Sequence, residues 1–248
     1  MYMKVFDCFT FYNEQELLRI RLNEMNDFVD YFVIVEASET FTGIAKPFYL
    51  DECTEWLQPW ISRIIRVKVI LDGYSNDPWK CEHFQRNQIV QGLYSAKDND
   101  LILISDVDEI INTKVLKSLK KIKEPVQIDN TQYFWNFNWQ VPDHCNQGAR
   151  PVACKKSHLS SVSPQDLRAA QLQRVLNGGW HFSYFSNVEN IAKKIESFAH
   201  TEYNLEEYKQ AEKVLHRIQN GIDPFDRFPL KYSEIDDSYP LYIQNNYK

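Results

Sequence analysis

The first apolar stretch, Lys4 to Phe11, is short and aromatic; beyond Asn13-Glu14 the apolar positions become Leu17, Leu18, Leu22, Met25 and Phe28. That change of period predicts a strand, a turn and an amphipathic helix. Tyr31 to Val35 is aromatic or β-branched throughout and ends at Glu36. A run without alternation predicts a strand covered on both faces, and hence a parallel partner. Residues 52–60 are expected to be helical after a loop at Thr42-Gly43, and Ile64 to Ile70 reads as another strand. Pro78 opens a helix expected to run to about Lys97, because proline costs little in the first turn. Leu101 to Ile104 is four aliphatic residues in a row followed by Ser-Asp-Val-Asp-Glu, a central strand ending in acids.

A helix over 113–121 and an aromatic strand or hairpin arm over 132–139 follow. The polar, proline-containing stretch 143–163 is expected to be a long loop, a kind of segment that in compact domains usually carries function. Gly178-Gly179 reads as a tight turn into the aromatic strand that ends at Phe185. Helices are expected from Val188 to Ala199 and from Asn204 to Asn220, with an extended polar tail after Gly221.

Strands alternate with helices through residue 121, which predicts an α/β sheet with right-handed crossovers. Ligands of such sheets sit at the carboxyl ends of the strands. Phe11 to Glu14, Glu36 and Asp106 to Glu109 therefore belong around one crevice, although they are far apart in sequence. No linker-like stretch divides the chain, so 1–248 reads as one domain.

Composition narrows the partners. The net charge is −6 and the basic residues are scattered, which argues against nucleic acid, whose phosphates demand a concentrated basic surface. No apolar run reaches the length of a membrane span, and the N-terminus lacks a signal-peptide pattern. Five cysteines, widely spaced and without a Cys-x-x-Cys pair, read as reduced thiols. Together these features imply a cytoplasmic protein, or a catalytic piece of something larger. Phe, Trp and Tyr make up 14% of the chain, enough to furnish stacking surfaces for ring-shaped ligands as well as a core.

Two carboxylates separated by one residue, just past a buried strand, can share one divalent cation, and oxygen ligands suit Mg²⁺ or Mn²⁺. Asp106 and Asp108 are that pair. The bland alternative is that one of them caps the helix near Thr113.

Phe84-Gln85-Arg86-Asn87, a helix, and then Leu101 to Asp108 resemble the Arg-Asn helix and Asp-x-Asp strand of GT-A glycosyltransferases. The chain more specifically resembles glycosyltransferase family 17. The matching pieces are Phe6 to Glu14, Val33 to Glu36 with Thr40 to Gly43 and Lys46, Glu82 to Asn87, Asp106 to Ile110, and Gly179 to Tyr184. They occur in the same order over about residues 4–200, which is far more specific than any one of them.

The resemblance implies a GT-A type, Rossmann-like, mixed and mostly parallel sheet flanked by helices, with 1–125 as the nucleotide-sugar-binding half and 126–248 as an acceptor-side half of helices and loops. It implies that Phe11, Asn13 and Glu36 line a nucleoside pocket and that Arg86 and Asn87 buttress it or reach the diphosphate. Arg86 has a competing role in an ion pair with Glu82 at i, i+4, and Asn13 and Glu36 have one as turn residues. His181 is the implied third metal ligand beside Asp106 and Asp108, with Mn²⁺ or Mg²⁺ as cofactor; a hydrogen-bonded core histidine is the alternative. Trp180 would stack on a sugar, or else pack in the core. Family 17 enzymes invert the anomeric centre, which requires a base for the acceptor hydroxyl. Asp143, Asp166 and Glu189 fall in the acceptor-side half, and Glu189 is placed first, although the first turn of a helix stabilises a carboxylate for structural reasons alone.

The expected activity is metal-dependent transfer of a sugar, N-acetylglucosamine first, from a UDP-sugar to a glycan acceptor. The rivals are an inactive nucleotide-sugar or glycan binder and a metal-dependent phosphoesterase.

Overall fold

The computed structural model describes residues 2–146, 148 and 150–247. Its first half alternates strand and helix: β1 (Val5–Phe11), α1 (Gln15–Met25), β2 (Tyr31–Ala37), β3 (Ile64–Val69), α2 (Pro78–Asn87) and β4 (Leu101–Asp106). Then come β5 (Glu109–Ile111), the single-turn α3 (Leu116–Leu119), β6 (Val126–Phe134), β7 (Trp139–Gln140), β8 (Val152–Lys155), α4 (Pro164–Ala169) and β9 (Gln173–Ser183). The chain ends with α5 (Val188–Ser197), α6 (Glu206–Lys209), α7 (Ala211–Asn220), β10 (Lys231–Tyr232) and α8 (Leu241–Asn246).

Among the described residues the strands form one mixed sheet in the order β10-β7-β6-β8-β4-β1-β2-β3, with β9 beside β6 and β5 beside β9. Strands β3, β2, β1 and β4 are mutually parallel, as the unbroken apolar runs predict. The chain leaves β1 toward β2 and β3, then returns to place β4 on the other side of β1. This reversal opens a crevice beyond the carboxyl ends of β1 and β4.

Alternate residues of the central strands feed two separate cores. Leu101 and Leu103 of β4 pack with Val5, Phe9 and Leu22 on one face, and Ile102 and Ile104 pack with Phe6, Cys8 and Val33 on the other. Both faces are apolar, which is why these strands show no alternation in sequence.

Several expectations change in detail. The helix expected to reach Lys97 stops at Asn87 and continues as a 3-10 turn over Gln88–Leu93. Gly92 lies against β2, where an added Cβ would come within 2.3 Å of a Val33 methyl. The stretch 143–163 is not a plain loop, since Val152–Lys155 is a strand set antiparallel between β4 and β6. Gly178-Gly179 is no turn either but lies inside β9, and a Cβ on Gly179 would meet the Ile110 carbonyl oxygen at 2.3 Å. Glycine there permits the close approach of β5. Residues 52–60 form 3-10 and turn structure, the helix expected over 204–220 divides at Gln210, and the tail ends in a helix packed on α1.

Candidate active site

Asp106 ends β4 directly beside Thr10 of β1. Its Oδ1 accepts hydrogen bonds from the Thr10 hydroxyl at 2.8 Å and from Arg86 Nη2 at 2.9 Å, and its Oδ2 accepts one from Arg168 Nη2 at 3.0 Å. Arg168 also donates to Glu109, and the Asp106 backbone N–H donates to the same Glu109 oxygen at 2.8 Å. Burial opposes the charge of Asp106, but the two guanidiniums prevail and hold its carboxyl far below the usual range. Burial instead raises Glu109.

Behind this loop lies Arg21 of α1, with no solvent exposure. It grips Asp7 through two hydrogen bonds of 2.8 and 2.6 Å and donates to Ser105 Oγ and to the carbonyls of Asp106, Val107 and Glu109. A buried guanidinium with its donors satisfied in this way fixes the path of the acidic turn.

Asp108 faces the crevice. Its backbone oxygen accepts from Phe182 N at 2.9 Å, which ties the turn to β9. Its Oδ1 lies 3.6 Å from His181 Nε2, and its Oδ2 lies 3.2 Å from Lys194 Nζ. Lys194 also reaches Glu14 Oε1 at 3.3 Å. Burial works against the Asp108 charge, yet Lys194 and His181 draw its carboxyl well below the ordinary value. The same pairing overcomes burial to raise the His181 imidazole.

These groups open onto a cavity of about 1020 Å³ whose floor includes Thr10, Phe11, Arg86, Asp106, Asp108 and His181. That is room for a sizeable ligand. The opposite wall comes from the C-terminal half through Phe198, Tyr203, Phe225 and Phe228. Tyr184, at the end of β9, has φ +58° and also lines the cavity. Left-handed backbone at a tyrosine is costly and tends to gather at functional sites. At one edge Trp79 meets His200 edge-on at 4.6 Å, so the two halves touch across the cavity.

The sites expected from sequence divide sharply. Phe11, Arg86, Asp106, Asp108 and His181 share the main cavity, and Asn13 lines a small adjoining space of about 20 Å³ with Glu14 and Lys194. Glu36, by contrast, is 2% exposed and accepts from the Tyr49 and Leu50 amides and from Lys46. It organises the turn that follows and is absent from the cavity lining. Asn87 accepts from Gln165 N at 3.0 Å and so supports α4. Trp180 is 5% exposed, packs among Ile110, Phe182 and Tyr239, and donates to the Ser238 carbonyl at 3.1 Å. Alternation along β9 sends Trp180 into the core and His181 to the cavity. Glu189 does not join the cavity site: its side chain is 76% exposed, pairs with Lys193 at 2.8 Å and is not among the residues lining the cavity.

The arrangement also alters the proposed metal ligands. Two guanidiniums fix Asp106, whereas Asp108 is paired with a flexible ammonium and with an imidazole that can itself be a ligand, so Asp108 and His181 are the pair better placed to exchange partners for a divalent ion. Oxygen and imidazole nitrogen suit Mn²⁺, with further positions left to phosphate oxygens and water. Among the described residues no group of three or more acids, histidines or cysteines gathers in a shape that would hold an ion alone.

Sequence reasoning missed Arg168, Lys194 and Thr10. Arg168 lies just after the segment taken for a loop, and Lys194 sits in a helix whose polar face reads as ordinary surface. Only the tertiary pairing gives them a role. For Thr10 a signal existed, since it is the last polar residue of an apolar strand in register with Asp106.

Among the described residues no helix is long and apolar enough to cross a membrane. The chain is 28% identical to the rat and human beta-1,4-mannosyl-glycoprotein 4-beta-N-acetylglucosaminyltransferases over 153 residues, which is 56% of this chain and 28% of each relative. The mouse protein of the same name aligns at 24% identity over 294 positions, 98% of this chain and 53% of the relative. The chain thus spans about half or less of the length of these relatives. A mannosyltransferase from Pyrobaculum calidifontis, solved with GDP-Man and Mn²⁺, superposes with a TM-score of 0.41 at 12% identity, over 64% of this chain and 47% of that one. The sequence profile of glycosyltransferase family 17 matches residues 1–237, nearly the whole chain, and the protein belongs to that family.

Proposed function

We propose that the chain transfers a sugar, with inversion, from a UDP-sugar to a hydroxyl of a glycan acceptor, using Mn²⁺ or Mg²⁺ held by Asp108 and His181. The observation that carries this reading is the convergence of Asp108 and His181 on a cavity at the switch point of the sheet, with Asp106 beside them locked by two arginines. The names of the mammalian relatives support N-acetylglucosamine as the sugar and a mannose-containing glycan as the acceptor.

A divalent ion, when bound, supplies positive charge to the leaving diphosphate. The remaining work falls to the chain itself. Arg86, Arg168 and Thr10 keep Asp106 ionised and still, Arg21 holds the turn from behind, and the Asp108 backbone pairs with β9 so that His181 stays in register. Phe11, 2% exposed and packed in the core at the end of β1, underlies the cavity where a nucleoside would lie. The aromatic wall from Phe198 to Phe228 presents the flat faces on which sugar rings stack. Glu189 is exposed, paired with Lys193 and not among the cavity-lining residues, so Glu189→Gln should leave transfer within about twofold of the parent, as expected for an exposed pair of little weight.

Calorimetric titration of UDP and UDP-sugars, with and without Mn²⁺, tests the reading on the parent, Asp108→Asn and His181→Ala. Metal should tighten UDP binding in the parent and lose that effect in both variants. Equal UDP affinity with and without metal would remove the metal from the proposal. Tight UDP-sugar binding with neither hydrolysis nor transfer to mannosides would make the chain a binder.

A further inference from the structure

Lys194 enters the cavity from the last turn of α5, a helix fixed to the body by the fully buried Ile191 and Ile195. Its ammonium lies between two carboxylates from separate loops, 3.2 Å from Asp108 Oδ2 and 3.3 Å from Glu14 Oε1, with the Tyr184 ring centroid at 5.7 Å. His181 Nε2 flanks the same Asp108 at 3.6 Å. Two acids thus meet at a position that a side-chain cation of this protein already fills, with the imidazole on the other oxygen of Asp108. Glu14 has a second duty, since its other oxygen accepts from the Tyr12 and Asn13 amides at 3.2 Å, so it cannot follow a moving lysine far.

The pair is not needed to satisfy a sealed interior. Lys194 retains 23% side-chain exposure and lines the cavity, and its four-carbon stem can swing an ammonium that water will readily solvate. A divalent ion placed on Asp108 would meet the ammonium at close range and be repelled. A nucleoside diphosphate reverses that balance, because it brings negative charge enough to hold the metal and the displaced ammonium together.

We propose that Lys194 is a built-in competitor for the divalent ion on Asp108. In the free protein it neutralises Asp108 and Glu14; the ion gains Asp108 together with the nucleoside diphosphate, and the released ammonium turns to the diphosphate. Metal and donor binding are coupled through this one side chain. The inference rests on the proposed metal-dependent reading of the same site.

Electron paramagnetic resonance of free Mn²⁺ tests it without any turnover, on the parent, Lys194→Met and Lys194→Gln, each with and without UDP. The parent should bind Mn²⁺ weakly alone and far more tightly with UDP. Both variants should bind Mn²⁺ alone about tenfold more tightly than the parent, as the removal of a close competing charge implies, and UDP should add less to their affinity. Thermal melts establish that each variant is folded, and the isopolar-length glutamine serves if methionine perturbs α5. If all three proteins bind Mn²⁺ with UDP but the variants gain nothing without it, Lys194 is no competitor and the metal reading survives. If none binds Mn²⁺ even with UDP, the metal reading fails and the competitor falls with it.

Discussion

Two ion pairs hold the acidic turn, one from behind and one from the front, and they are built on opposite principles. Arg21–Asp7 is sealed: both side chains have zero exposure, the guanidinium lies 4.1 Å from the Phe9 ring centroid, and each bond runs to a fixed group. Lys194–Asp108 opens onto the cavity, is longer at 3.2 Å, and leaves both partners room for other company. A planar guanidinium suits the first task, since it matches a carboxylate bidentately and cannot be deprotonated. A flexible ammonium suits the second. The contrast teaches that the same turn can be immobile in its backbone and exchangeable in its ligands.

The largest effect should come from breaking the sealed pair. Arg21→Met leaves the Asp7 carboxylate buried without its partner and orphans three carbonyls, which should cost about 3–5 kcal/mol of stability. Urea denaturation measures it. Adding Asp7→Leu to Arg21→Met should recover much of that loss, because no uncompensated charge then remains. Activity should stay impaired in the double variant, since the turn has lost its hold from behind. If the single substitution costs under about 1 kcal/mol, the sealed pair is not the anchor the contacts suggest.

The open pair should behave in the reverse way. Asp108→Asn should lower transfer by about 10² to 10³, the range typical for loss of one group aimed at developing charge. Its urea midpoint should fall less than that of Arg21→Met, because Lys194 keeps Glu14 and water while the loss of the paired carboxylate still costs some stability. A large stability loss with modest loss of activity would make Asp108 a second structural anchor and erase the distinction.

The sealed and open regions were not equally legible. The parallel core could be read directly, since Tyr31 to Val35 and Leu101 to Ile104 are apolar at every position and both faces are buried. Asp106 and Asp108 were legible because strand ends at a switch point face a common crevice, and His181 only through the family resemblance. The roles of Glu36, Trp180 and Glu189 were not. Glu36 occupies the expected strand end but turns to the amides of Tyr49 and Leu50, thirteen residues or more away. Trp180 and His181 adjoin, and only the pleat of β9 decides which is core. The i, i+4 pair of Glu82 with Arg86 could be read from spacing, but the five-charge cluster it joins with Asp106, Arg168 and Glu109 needs α4 packed on α2, a contact that no local period encodes.

The smallest effect concerns thiols, which report the same division between sealed core and open cavity. Cys154, fully buried in β8, has its thiol pushed by burial to about 12, and burial raises Cys53 to about 11. Cys145 is half-buried and lines the cavity. In the unfolded chain these thiols ionise near their ordinary value, while the folded chain keeps the protons on Cys53 and Cys154. The folded state then binds more protons, so stability is full below about pH 8.5 and declines as pH rises toward the folded values. Urea midpoints should fall between about pH 9 and 11, and the decline should be shallower in Cys53→Ala with Cys154→Ala. Iodoacetamide at about pH 8.5 should label Cys145 of the folded protein well before Cys154, because alkylation requires an accessible thiolate. Peptide mass spectrometry reads the order. Equal labelling of Cys154 in the folded state would mean that β8 opens between β4 and β6, and that the wall behind Asp106 is not sealed.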